Sequence, residues 1–136
     1  MTLSIDTIKS AAAGCETAID LLNEHYCYGH CMDLAIALNR AYGYIIQASM
    51  VESKWVGHAW VKLPDGTFLD ILSRYTDTDE LESFGDGKCT LSFTSEGDFV
   101  SILEIKDNEL EVFINDLAIA QEVVGIYLAP KFKLTP

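Results

Sequence analysis

The chain is expected to fold as an α+β domain, with N-terminal helices packed on an antiparallel sheet, and three observations predict it. Apolar residues recur at spacings of three and four up to Gly43. Beyond Gly43 the period changes to runs rich in β-branched and aromatic residues, and Pro64-Asp65-Gly66-Thr67 stands between two of these runs where a hairpin turn belongs. Composition supports a buried core: of 136 residues 49% are hydrophobic, 10% aromatic and only 22% charged, which argues against disorder and fits one domain over residues 1–136.

The helical part is expected over about 4–43. Ile8, Ala12, Cys15, Ile19 and Leu22 trace one stripe from Ser4 to Glu24, so a single amphipathic helix is predicted there with Cys15 buried on it. After the loop EHYCYGH, a second helix runs from Cys31 to Tyr42 with Leu34, Ala35, Leu38 and Tyr42 inward and Gly43 as its stop. A β-meander follows over about 44–75, with strands at Tyr44 to Val51, Val56 to Leu63 and Phe68 to Leu72. The segment 77–88 reads as a solvated acidic connection, and over 90–128 the expectation is strands at Thr90 to Phe93 and Phe99 to Ile105, a helix from Asn108 to about Val124, and a closing strand at Ile126 to Leu128.

Nine Lys+Arg against 21 Asp+Glu leave a net charge of −12. Clustered cations are what phosphate contacts require, so neither nucleic acid nor an anionic membrane is expected as a partner. The charge is uneven: residues 1–76 hold 8 acids and 5 bases, a net of −3, and residues 77–136 hold 13 acids and 4 bases, a net of −9. No apolar run is long enough to span a membrane, and the first residues lack a basic stretch followed by an apolar one, so a cytoplasmic protein with reduced thiols is expected, in its own cell or a host's.

The candidate chemistry centres on Cys31. At the start of a helix the unpaired N–H groups and the positive dipole end favour a thiolate. Such a nucleophile still needs a base and a group to orient that base. His58 lies 27 residues on, in the strand VGHAWVKL, and Asp70 lies 12 further, in FLDIL. A hairpin turning near residue 65 pairs 58 with 72 and 60 with 70, which places His58 and Asp70 on one face within a rung or two of each other. Trp60 is expected on the opposite face, as core, and Asp33 is given a structural role in the first helical turn.

The run GHCMDLAIALNRAYG, a later HAWV on a strand and PDGTFLDI resemble the transglutaminase-like and papain-like cysteine fold. In particular they resemble small bacterial and phage proteins with a G-x-C-x-x-[FL]-A-x-A-L helix and an H-[AV]-[WFV]-V…DG-x-[FYW]-x-D hairpin. The resemblance covers about residues 26–75. It implies a minimal version of that core, with Cys31 as nucleophile, His58 as general base and acid, and Asp70 orienting His58. It implies thiol-dependent hydrolysis or acyl transfer on a protein, or on a small amide or ester, without a cofactor. For the oxyanion the backbone N–H of Cys31 is one candidate donor, and His30 or Tyr28, or else Asn23 or Tyr26 in the same stretch, supplies a second.

Two rival readings stand beside this one. His25, Cys27, His30 and Cys31 are four zinc-ligand types within seven residues, but adjacent His30 and Cys31 are badly spaced for one tetrahedral ion, so no metal site is expected. Alternatively, Cys31, His58 and Asp70 are inert remnants in a non-catalytic binding or inhibitor protein, one that meets a basic partner through Asp77, Asp79, Glu80 and Glu82.

Overall fold

Gly14 divides the first helical stretch. Its φ of +94° is left-handed, a conformation glycine adopts without penalty, and it separates α1 (Ile5–Ala12) from α2 (Glu16–Cys27). Ser4 caps α1 by accepting a 3.1 Å hydrogen bond from the Thr7 N–H. The single predicted helix is therefore two, and Cys15, expected to be buried, is exposed at the break. After the break α2 turns Ala18, Leu22 and Tyr26 inward. The computed structural model describes residues 3–27, 30–52, 55–85, 87, 89–102 and 116–136.

The third helix, α3 (Cys31–Tyr42), starts and stops where the sequence predicts, with Gly43 at φ +76° donating its N–H to the Asn39 carbonyl. Every residue from Asp33 to Leu38 is buried, so the middle of α3 is enclosed all round instead of presenting one inward face, while Arg40 and Ala41 are exposed and Tyr42 is only half-buried. It packs on the sheet, against α2 and against helical segments later in the chain.

The sheet has five antiparallel strands: β1 (Ile45–Val51), β2 (Trp55–Lys62), β3 (Phe68–Leu69), β4 (Arg74–Tyr75) and β5 (Thr90–Phe93), in the order β4-β3-β2-β1-β5. Val61 pairs with Leu69 and Lys62 with Phe68, the register expected from the Pro64-Asp65-Gly66-Thr67 turn. Asp65 holds that turn by accepting from the Thr67 N–H at 2.9 Å, and it pairs with Arg74. Strand β3 ends sooner than expected because Asp70 Oδ1 accepts the Leu72 and Ser73 N–H groups at 2.9 and 3.1 Å, turning the chain toward β4. Trp60 shares the parity of His58 and lies on the same face: their ring centroids are 6.1 Å apart, and Trp60 donates to Gln47 at 2.9 Å. Trp60 is core, as expected, but not on the opposite face.

The acidic connection is more ordered than a loop. Its residues Asp79–Glu82 form a short helix, α4, anchored by the fully buried Leu81 and by Ser49 Oγ, which donates to the Glu82 carbonyl at 3.0 Å. Downstream, Glu96–Ile102 is a helix, α5, where a strand from Phe99 was expected; Ser95 Oγ accepts the Asp98 N–H at 3.2 Å and so nucleates the turn. The late helix, α6, is described from residue 116, and its expected start at Asn108 lies outside the described residues. It continues through a π-helical turn at Val124–Leu128 into Ala129–Phe132. The predicted strand at Ile126 to Leu128 is thus helical, because Ala120, Val123, Val124, Tyr127 and Leu128 repeat at helical spacing into the core. Among the described residues no helix is long and apolar enough to cross a membrane.

Candidate active site

Cys31 opens α3, where the first-turn N–H groups have no intrahelical carbonyl to meet. Its side chain is nearly buried, at 9% exposure. His58 comes from the middle of β2 and is fully buried; Asp70 follows β3 at 3% exposure. His58 Nε2 and Asp70 Oδ2 are 2.9 Å apart, while the other carboxylate oxygen is held by the two N–H groups of its turn. The carboxylate is fixed by backbone as well as by the imidazole.

The charge on the imidazole follows from this setting. Burial pulls the His58 pKa down, but the hydrogen bonds and charges of Asp70 and Cys31 outweigh burial and raise it from 6.5 to about 9. With Nε2 given to Asp70, Nδ1 is the nitrogen left for Cys31, and it has no hydrogen-bond partner of ordinary geometry among the described residues. His58 and Asp70 are therefore a directly bonded pair, and Cys31 shifts the charge on the same imidazole.

Three neighbours were not singled out for this role. Tyr75 on β4 lies close to Asp70, and burial together with that carboxylate raises the phenol's pKa. Cys27 at the end of α2 has its thiol pushed up to about 11 by burial, then by Asp70 and Cys31. Phe84 lays its ring 4.7 Å from the His58 imidazole while remaining 42% exposed. Tyr75 and Phe84 reach the site through chain reversals after Asp70, and no spacing rule connects them to it.

The oxyanion candidates fare differently. His30 Nδ1 is occupied by Asp33 Oδ2 at 2.9 Å and Asp116 Oδ2 at 3.2 Å, and its ring stacks on His25 at 4.0 Å, so that nitrogen is not offered to a substrate. Tyr28 lies outside the described residues. The Tyr26 hydroxyl and Asn23 Oδ1 are buried without hydrogen-bond partners among the described residues. Asp33, given a structural role in the first turn of α3, is buried; desolvation raises its carboxyl to about 6 against the pull of His30.

Space at the site is small. A cavity of about 10 Å³ touches Tyr26, Cys31, Trp60 and Asp70, room for about one water. A cleft of about 360 Å³ lies elsewhere, between α1, α2 and α6, and includes none of Cys31, His58 or Asp70. The group is thus closed over as it stands. No protein-family model, no curated protein and no solved structure matches this chain.

Proposed function

We propose that the protein is a thiol-dependent hydrolase or acyltransferase in which Cys31 is the nucleophile, His58 the proton carrier and Asp70 the group that orients His58. The observation that carries this reading is the buried 2.9 Å His58–Asp70 pair with the Cys31 side chain acting on the same imidazole. A purely structural histidine would more simply be satisfied at both nitrogens. The resemblance to the transglutaminase-like and papain-like cysteine fold points the same way, and a cytoplasmic location keeps the thiols reduced.

In the proposed reaction the proton of Cys31 already resides on His58, and the sulfur attacks the carbonyl carbon of an amide, ester or thioester. The tetrahedral oxyanion takes hydrogen bonds from first-turn N–H groups of α3. Collapse breaks the bond to the leaving group, which receives the proton from His58, and a thioester remains on Cys31. Water or an amine then attacks it, giving hydrolysis or transfer. Substrates that are neutral or cationic suit a protein of charge −12.

Mass spectrometry of the intact protein after brief exposure to p-nitrophenyl acetate tests this. One acetyl group on Cys31, absent from Cys31→Ala and reduced at least tenfold in His58→Ala, is the expected result. An unmodified Cys31 in the native protein contradicts the reading.

The closed site and the exposed acids Asp77, Asp79 and Glu80 favour a second reading, a non-catalytic protein that docks on a basic partner through α4. Loss of such a partner in a variant with Asp77, Asp79, Glu80 and Glu82 neutralised, with Cys31→Ala harmless, would favour it.

A further inference from the structure

We propose that His30, Asp33 and Asp116 form a binding site for a divalent transition-metal ion, zinc foremost, at the junction of α3 and α6. The ligand-type atoms of the three side chains all lie within 4.8 Å of one another, with His30 Nδ1 at 2.9 Å from Asp33 Oδ2 and 3.2 Å from Asp116 Oδ2. Bonds of about 2.1 Å to nitrogen and oxygen place neighbouring ligands about 3.0–3.4 Å apart in octahedral or tetrahedral coordination. The two shorter separations therefore match the edges of a coordination polyhedron. His30 and Asp33 are three residues apart at the start of α3 and so share a face; Asp116 arrives from the far end of the chain.

A second observation points to a ligand between the carboxylates. The Tyr26 hydroxyl is buried and has no hydrogen-bond partner among the described residues, yet it lies within the field of both Asp33 and Asp116. A buried phenol that feels the charge of two carboxylates and donates to neither is a donor without its acceptor. Water bound to a metal held by those carboxylates supplies one. The cluster also has an entry path, since His30 and Asp116 are each about one-third exposed while Asp33 is buried. One imidazole with two carboxylates is a donor set that suits zinc or manganese over magnesium, which accepts imidazole poorly. On binding, His30 Nδ1 gives up any proton it carries to solvent and donates its lone pair to the metal.

The site differs in ligands and chemistry from the thiol group at Cys31, and the two proposals stand or fall separately. Isothermal titration of EDTA-stripped full-length protein with zinc, manganese and magnesium chlorides tests it, alongside thermal unfolding. One zinc or manganese ion per chain is expected, with a rising unfolding midpoint and with magnesium at least tenfold weaker. His30→Gln and Asp116→Asn should each weaken binding at least tenfold, whereas a Cys27→Ser/Cys31→Ser double variant should bind as the native protein does. Manganese should broaden the His30 ring resonances of the native protein, a readout that needs no variant. Absence of binding to the native protein, affinity unchanged in both ligand variants, loss of binding in the double cysteine variant, or preference for magnesium would each overturn the proposal.

Discussion

His58 is the residue at which burial and charge oppose each other most directly, and its titration has a definite sign. Its folded pKa of about 9 stands above the ordinary 6.5, so its protonated form is favoured by folding. The stabilisation is fully present below about pH 6.5 and is lost as pH rises through 9. The groups facing the ring are Cys31 from α3 and Asp70 after β3, with Tyr75 from β4 behind Asp70. Thermal midpoints recorded between pH 6 and 9.5 should fall, and Asp70→Asn, which removes the hydrogen-bonded carboxylate that does most to raise the ring's pKa, should flatten that fall. In the metal-free protein Asp33 acts in a lower window: its carboxyl, raised to about 6 from 3.8, makes stability decline as pH rises from about 4 to 6, so the two effects separate. Phe84 provides a third check. Its ring covers His58 but is partly in water, so Phe84→Ala should speed labelling of Cys31 several-fold while costing about 1 kcal/mol, less than a fully buried aromatic would.

At the scale of elements, the close crossing of the chain after α4 over β2 holds Phe84 in place. A Cβ on Gly57 would lie 2.5 Å from the Phe84 carbonyl oxygen, and one on Gly85 would lie 2.6 Å from the Met50 carbonyl oxygen. Both contacts are with backbone, so neither can yield without moving a strand or the crossing segment. Gly57→Ala or Gly85→Ala should therefore destabilise by roughly 1–3 kcal/mol in urea unfolding. Leu81→Ala, which empties the buried anchor of α4, should cost about 2–4 kcal/mol. The elements differ in how far local signals determine them. The β2–β3 register was legible because the Pro64-Asp65-Gly66-Thr67 turn sets it within a few residues, and α3 was legible from its apolar run and Gly43. The break at Gly14 was not, because the apolar spacing runs on across it while a single positive φ redirects the backbone. The Ile126 to Leu128 strand was misread because a β-branched, aromatic run within a buried helix looks locally like a strand.

For the molecule as a whole, what assembles late in the chain was the least legible. His58 and Asp70 are tied by one hairpin, and their pairing follows from parity; α3, which carries Cys31, packs on β2. Asp116 joins His30 across 86 residues of sequence, and Phe84 covers His58 by a return of the chain, so neither relation has a period or motif to announce it. The net charge of −12 sits mainly in the later half, apart from the thiol group, and with few cations to pair those acids most surface ion pairs contribute little. Arg40 with Glu96 is one such pair, at 2.7 Å but well exposed, and Arg40→Ala should change stability by no more than about 1 kcal/mol. The central claim, that His58 activates Cys31, is tested most directly by the rate at which iodoacetamide alkylates Cys31 at pH 6, followed by peptide mass spectrometry. A rate at least tenfold above that of a free model thiol, falling to or below the model's rate in His58→Ala, is the predicted result; a native rate no faster than the model thiol, or one unchanged in His58→Ala, would contradict the account.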